Sequence, residues 1–187
     1  MAALPVLTPL AEWRRQKDEF LATDPRSPLA GVAGFRGLAY FAEDPAARVV
    51  ARVTRPAAPR PVRLATSSGE ERSFLEYGVA RFELGGARHA LTLFAPVDAP
   101  EGPRLFLPFA DATSGAETYG AGRYLDPHLA APAAGNGAPV DLVLDFNYAY
   151  HPYCAFAEGY TCPFPPAGNR LRVAVRAGER LPDPAAP

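Results

Sequence analysis

The segment VARFELGGARHALTLF, residues 79–94, indicates the fold more clearly than any other part of the sequence. Polar and apolar side chains alternate on both sides of Gly85-Gly86, and two glycines tolerate the positive φ angles of a tight turn. We therefore predict an antiparallel hairpin with a two-residue loop. Its register places Glu83 opposite Arg88 on the polar face and Phe82 opposite His89 on the apolar face.

Shorter patterns with a period of two occur on both sides of this hairpin and predict a β-rich body over residues 48–176. The predicted strands are 48–54, 60–66, 71–77, 79–84, 87–95, 104–109, 140–146 and 171–176. Strands of this number and length, joined by loops rich in proline and glycine, are typical of a sandwich or a compact barrel.

A helix is predicted upstream of the strands, over about residues 8–22. Thr8 is its expected N-cap, and Pro9 occupies the first helical position, where its missing N–H is not needed. Trp13 lies on the apolar stripe of this helix and is expected to anchor it. The predicted fold class is therefore mainly β: a single antiparallel sandwich or barrel-like domain, residues 1–187, with an N-terminal capping α-helix.

Composition narrows the class of protein further. Of 187 residues, 48% are hydrophobic and 21% are charged, as in globular proteins. The net charge of -1, without a basic arm, argues against a nucleic-acid partner.

The sequence lacks both a run of about 18 apolar residues and the basic start of a signal peptide, so we expect no membrane partner and a cytoplasmic location. Phosphate-loop and dinucleotide-binding motifs are absent and no cofactor is predicted; the oligomeric state stays open.

Basic side chains are almost all arginine. Lys17 is the single lysine among 19 lysine and arginine residues. We attribute this bias, together with the many alanines and prolines, to the base composition of the genome.

Two irregular stretches, 109–126 and 144–170, carry many groups able to form hydrogen bonds. In a compact domain such stretches are either functional loops or loops packed by their own aromatic rings. Our leading hypothesis is that they form a polar pocket that binds a small anionic molecule; in its catalytic version, the pocket also transforms that molecule. The candidate ligand-binding residues are Tyr119, Arg123, Asn147 and Tyr150, and the candidate catalytic residues are Glu117 and Asp145.

The candidates are assigned by their chemistry, with Tyr119 and Asn147 as the donors expected to orient the ligand. The guanidinium of Arg123 matches a carboxylate or phosphate in two parallel hydrogen bonds, so Arg123 is the expected anion anchor. Glu117 or Asp145 becomes a general base if burial raises its pKa. The structural alternative is that Arg123 pairs with Glu117 or Asp145 in a buried network that fixes the fold.

A second group, His151, Cys154 and Cys162, contains three side chains able to bind a metal within twelve positions. Zinc requires a fourth ligand, and a thiolate nucleophile requires a base beside the sulfur. A metal- or thiol-dependent enzyme is therefore an alternative hypothesis. A disulfide, or a pair of reduced thiols packed among aromatic rings, fits the spacing better.

The third hypothesis is a non-catalytic protein-interaction domain. Its docking surface is the segment 148–168, which is rich in aromatic residues and proline.

Several longer blocks resemble a known family. These blocks are ATSSGE (65–70), FADATSGAETYGAGRYLD (109–126), LDFNYAYHPYCAF (144–156) and CPFPPAGNRL (162–171), with weaker similarity in WRRQKDEF (13–20) and FRGLAYFAEDP (35–45). They are similar to the bacterial and archaeal family catalogued as domain of unknown function 1684. The resemblance extends over nearly the whole chain, but it implies no particular chemistry because that family is named for lacking an assigned function.

Overall fold

Antiparallel β-structure dominates the computed structural model, which describes residues 9–58, 60–98, 104–127 and 139–182. The helix and strands are α1 (Leu10–Thr23), β1 (Ala39–Tyr40), β2 (Arg48–Thr54), β3 (Arg60–Ala65), β4 (Glu71–Leu84), β5 (Ala87–Pro96), β6 (Leu107–Phe109), β7 (Arg123–Leu125), β8 (Val140–Asp145) and β9 (Glu179–Arg180). The predicted class is confirmed: mainly β and sandwich-like, with an N-terminal helix. The described strands form separate sheets rather than a closed barrel. The extent of a single domain over residues 1–187 stays a prediction.

The hairpin at residues 79–94 forms in the predicted register, with Glu83 opposite Arg88 and Phe82 opposite His89. β5, β4, β2 and β8 follow one another across the five-stranded sheet, and β3 pairs with the first half of β4. The two strands predicted at 71–77 and 79–84 are one long strand, β4, with an irregularity between Glu76 and Gly78. A Cβ on Gly78 would lie 2.6 Å from the carbonyl oxygen of Thr54, so only glycine permits this close approach.

The hydrophobic core lies between this sheet and the short β6–β7 pair. Its most buried members include Ala51, Val53, Ala80, Leu93, Leu107, Phe109, Leu144 and Phe146. Alternate residues of β2, β4 and β8 point into it, as expected for strands with one solvated face.

Helix α1 lies where the prediction placed it, although it begins at Leu10 with Pro9 just before the first helical residue. Thr8 is outside the described residues. The ring of Trp13 packs edge-on against Tyr148, with ring centroids 5.2 Å apart, and Leu21 is fully buried. The helix therefore packs on the segment that follows β8 and on β9.

The strand predicted at 171–176 does not form, and the prediction was wrong there. The chain is irregular between Leu171 and Ala177, because its polar backbone groups bond to side chains and loops instead of to a neighbouring strand. The predicted strand 104–109 is also shorter than expected, since only β6 is regular. Sequence periodicity did not predict the short strands β1, β7 and β9.

Asn169 holds the end of the proline-rich loop to the edge of β5. Its Oδ1 accepts the N–H of Thr92 at 2.8 Å, and its Nδ2 donates to the carbonyls of Thr92 at 2.9 Å and Pro108 at 2.8 Å. A fully buried amide thus supplies the donor and the acceptor that a paired strand would otherwise provide.

Two glycines with positive φ allow a matched test of the packing around β7. Gly122 has φ +97°, and a Cβ there would lie 2.5 Å from the carbonyl oxygen of Phe109; Gly69 has φ +82° with open space around it. We expect Gly69→Ala to cost about 1 kcal/mol, the strain of a left-handed residue. Gly122→Ala, which adds a clash with backbone, should cost about 3 kcal/mol or more. Urea unfolding measures both, and equal losses would contradict the packing described.

Candidate functional site

Arg123, on β7, is the most deeply buried charged side chain near the predicted pocket, with no exposed surface. Its Nη1 donates to the carbonyls of Ala177 at 2.5 Å and Glu179 at 3.0 Å. Its Nη2 donates to the Asp111 carboxylate at 2.9 Å and to the carbonyl of Val175 at 2.7 Å. Three alternate carbonyls of residues 175–179, which we call the C-terminal segment, thus converge on one guanidinium.

Asp111 completes this network. Besides pairing with Arg123, its carboxylate accepts the N–H and hydroxyl of Thr113, at 2.8 and 2.6 Å, and the N–H of Val175 at 3.2 Å. Burial lowers the pKa of Arg123, while Asp111 opposes that change. Because the guanidinium is fully buried, it cannot contact a ligand in this position. The prediction that Arg123 anchors an anion is therefore wrong, and the structural alternative, a buried network, describes this residue. Its partner is Asp111 instead of Glu117 or Asp145.

The two predicted catalytic carboxylates lie apart from any pocket described below. Glu117 is half-exposed and forms a bidentate ion pair with Arg176, with two N–O distances of 2.8 Å. This pair lowers the pKa of Glu117. A general base at neutral pH needs the opposite change. Asp145 ends β8, where it accepts the backbone N–H and side-chain amide of Asn147 at 3.1 and 2.9 Å.

Asn147 and Tyr119 also have local structural partners. The Asn147 side chain accepts the N–H of Asp44 at 2.9 Å and donates to its carbonyl at 2.8 Å. It therefore holds Asp44, which caps the short 3-10 helix Pro45–Ala47, against the end of β8. The backbone N–H of Tyr119 donates to Nε2 of His151 at 3.2 Å, and the two rings meet edge-on. Neither side chain lines the cleft described below.

His151 is buried and its ring does not join the cysteines in a metal centre. Its backbone N–H donates to the Glu179 carboxylate at 2.7 Å, and burial lowers the pKa of the imidazole to about 3. No group of three or more His, Cys, Asp and Glu side chains in the described part of the chain is arranged to hold a metal ion.

Cys154 and Cys162 are free thiols that lie close together. The N–H of Cys154 donates to Sγ of Cys162 at 3.3 Å. Burial raises the pKa of Cys162 to about 11, which leaves little thiolate at neutral pH. The pair fits packed, reduced thiols better than an activated nucleophile.

The two irregular stretches meet through backbone hydrogen bonds between Tyr124 and Tyr150, at 2.8 and 2.9 Å, and a cleft of about 700 Å³ opens beside this contact. We call it the tyrosine cleft. Its aromatic lining consists of Trp13, Tyr124, Tyr150, Tyr153 and Tyr160. Its charged lining consists of Lys17, Arg72, Arg104 and Asp126. Of the predicted site residues that were expected to bind a ligand, Tyr150 alone lines it.

The charges in the tyrosine cleft are unevenly paired. Arg104 and the hydroxyl of Tyr150 both contact the Asp126 carboxylate, at 2.6 and 3.0 Å. Lys17 forms an ion pair with the buried Glu179. The exposed side chain of Arg72 forms no ion pair with any residue that the structure describes.

Sequence reasoning missed Arg72, Arg104 and Lys17 as site residues. They come from β4, the segment before β6 and helix α1, so no local motif connects them. The one available signal was that Lys17 is the single lysine.

The fold and the cleft define a mainly β, sandwich-like protein with a cationic, aromatic cleft at the junction of two irregular loops. The chain belongs to the family described as "Protein of unknown function (DUF1684)", whose model matches residues 33–180. It is similar to an uncharacterised protein of Haloarcula marismortui solved by NMR in solution, with 37% identity, a TM-score of 0.70 and 91% of each chain covered. No curated protein matches the chain. Among the described residues, no helix has the length and apolar character needed to cross a bilayer.

Substituting Arg123 tests its structural role. Arg123→Met keeps the side-chain volume but leaves Asp111 buried and unpaired, so we expect a loss of about 3–5 kcal/mol in the free energy of unfolding. Arg176→Met, which removes only the exposed pair with Glu117, is the control and should have a small effect. Urea denaturation compares the two. A loss for Arg123→Met no larger than that of the control would contradict the network.

The pH dependence of stability tests the burial of His151. The unfolded imidazole takes up a proton near pH 6.5, whereas the folded one does so only near pH 3. The unfolded state therefore binds more protons between these values, and stability falls as the pH is lowered through this window. The slope due to His151 should approach about 1.4 kcal/mol per pH unit.

His151→Asn is the matched variant, because the amide oxygen can accept the Tyr119 N–H without titrating. We expect urea midpoints of this variant to vary less between pH 6.5 and pH 4 than those of the unmodified protein. Parallel pH profiles would show that His151 is protonated in the folded state as easily as in water.

Proposed function

We propose that the protein binds a small anionic organic molecule in the tyrosine cleft. The charge of the cleft supports this proposal. Three cationic side chains line it, against one lining carboxylate and the buried carboxylate of Glu179 beside Lys17, although the whole chain has a net charge of -1. Such a local excess of positive charge favours an anionic ligand.

Arg72 is the proposed anion anchor. Lys17 and Arg104 are already neutralised by Glu179 and Asp126, which leaves the guanidinium of Arg72 to bind an anion. A guanidinium matches a carboxylate or phosphate through two parallel N–H donors. Arg72 thus takes the role that the sequence suggested for Arg123.

The aromatic walls favour a ligand with an organic body over a bare inorganic ion. Tyr153 and Tyr160 pack edge-on with ring centroids 5.3 Å apart, and both rings are only partly buried. Apolar rings with a few polar groups are typical of small-molecule sites. The proposal assumes a cytoplasmic setting, in which both cysteines stay reduced, and no cofactor.

Glu117 and Asp145 have no part in this proposal, because they do not line the cleft. The carboxylate that does line it, Asp126, is held by Arg104 and Tyr150.

The docking hypothesis for residues 148–168 is less well supported. Its aromatic rings pack mainly within the protein, and Phe164, 37% exposed, is the large apolar side chain of this segment that the described structure leaves in solvent. A single exposed ring is not an apolar patch of the size that protein partners use.

NMR titration of labelled protein tests the proposed function, with benzoate, phenyl phosphate and pyruvate as probes. We expect shifts of backbone signals confined to the cleft. Arg72→Ala should weaken binding about tenfold or more, since a charge-assisted hydrogen bond contributes about 1.5–3 kcal/mol.

Arg81→Ala is the matched control, because Arg81 is also an exposed arginine on β4 but lies outside the cleft. It should leave the affinities unchanged. Equal effects of the two variants on affinity would contradict the proposal. So would the absence of chemical-shift changes in the cleft with every probe. Concentration-dependent broadening centred on 148–168 would instead favour the docking surface.

A further inference from the structure

Lys17 is the exception in a chain whose other basic residues, apart from histidine, are all arginine. It projects from α1 into the wall of the tyrosine cleft, where its side chain is 15% exposed. Its Nζ lies 4.4 Å from the ring centroid of Tyr150 and 5.3 Å from that of Trp13, and it contacts the carboxylate of Glu179.

An ion pair alone does not explain a lysine at this position. Arginine pairs with a carboxylate through two parallel bonds and is the usual choice for buried pairs. Base composition explains why arginine occurs elsewhere but not why it is missing here. A guanidinium stays protonated in proteins and is not a nucleophile, whereas a lysine amine forms covalent bonds with carbonyl compounds.

We propose that Nζ of Lys17 forms an imine with the carbonyl carbon of a small 2-oxo acid whose carboxylate is held by Arg72. This inference rests on the proposed function, because it specifies the chemical class of the anion. It adds a covalent role for a residue that the binding proposal treats only as neutralised charge.

The step balances without an oxidant or reductant. The ammonium of Lys17 gives one proton to the Glu179 carboxylate, and the free amine attacks the carbonyl carbon to form a carbon–nitrogen bond. The second amine proton moves to the former carbonyl oxygen. Protonated Glu179 then gives its proton to this hydroxyl group, which leaves as water. The product is a protonated imine beside a carboxylate, and its total charge equals that of the reactants.

The surroundings of Glu179 suit this proton transfer. Its carboxylate is 1% exposed, and burial raises its pKa, so it holds a proton more readily than a carboxylate in water. The N–H of His151 fixes its other oxygen at 2.7 Å. The Tyr150 ring face lies beside Nζ and stabilises a positive charge on the nitrogen before and after the imine forms.

Reductive trapping tests the inference. The protein is incubated at neutral pH with pyruvate and sodium cyanoborohydride, and peptides are mapped by mass spectrometry. We expect Lys17 to gain the mass of one pyruvic acid less one oxygen atom. The chain offers only one other primary amine, the α-amino group, which is the internal standard.

The α-amino group provides the rate against which the modification of Lys17 is compared. A lysine amine in water, with a pKa of about 10.4, should react more slowly than an α-amino group with a pKa of about 7.7–8.0. Faster modification of Lys17 than of the α-amino group supports the proposal, and slower modification or none overturns it. Lys17→Arg should lose the internal adduct and keep the terminal one.

Two comparisons separate this inference from the proposed function. If pyruvate shifts the cleft signals but leaves Lys17 unmodified, the anion site stands and the imine is wrong. If ethyl pyruvate, which keeps the activated ketone but lacks the carboxylate charge, modifies Lys17 at the same concentration as pyruvate, recognition of the carboxylate by Arg72 is wrong. We expect ethyl pyruvate to require a concentration about tenfold higher or more, as for loss of one charge-assisted contact.

Discussion

The buried pair of Arg123 and Asp111 is the interaction on which the rest of the structure depends. Removing two charges from water costs several kcal/mol per ion, so such a pair is stable only when most of its remaining donors and acceptors are used. Here the two Nη groups donate to three backbone carbonyls as well as to the carboxylate, and Asp111 accepts three further hydrogen bonds. The buried Nε–H of Arg123 has no acceptor among the residues that the structure describes. The pair therefore joins β7, the turn after β6 and the C-terminal segment.

That segment ends at Glu179, whose carboxylate holds Lys17 and the N–H of His151, so the same network also positions one wall of the tyrosine cleft.

Much of the fold could be predicted because sheet structure leaves a local signal. Alternation of side chains and a Gly-Gly turn were sufficient for the 79–94 hairpin and its register. The segment 171–176 has the same alternation but no strand partner, because Arg123 and Asp111 take its polar groups. Alternation of polar and apolar residues indicates that a segment is extended and half-buried, but it does not indicate which groups form hydrogen bonds with its backbone. The short strand β7 was missed for the opposite reason, since three residues are too few to show a period.

The site was less predictable than the fold. Stretches 109–126 and 144–170 do meet, and Tyr150 lies in the cleft, but an arginine in a polar loop has the same sequence signature whether it is exposed or buried. The distinction between Arg123 and Arg72 depends on tertiary burial, which the loop sequence does not encode locally. Glu117 and Asp145 were predicted because carboxylates in polar stretches become general bases when burial raises their pKa, whereas their partners, Arg176 and Asn147, hold them in structural roles. Lys17, Arg72 and Arg104 come from distant segments, so only the folded chain brings them together.

The side-chain NMR signals of Arg123 report whether its guanidinium is held in the buried network. In an NMR spectrum of protein labelled with nitrogen-15, a guanidinium fixed by several hydrogen bonds rotates slowly and exchanges its protons slowly with water. We expect separate Nη–H signals for Arg123 with protection similar to that of core amides such as those of β5. A single averaged signal, exchanging as fast as that of the exposed Arg15 on α1, would contradict this expectation.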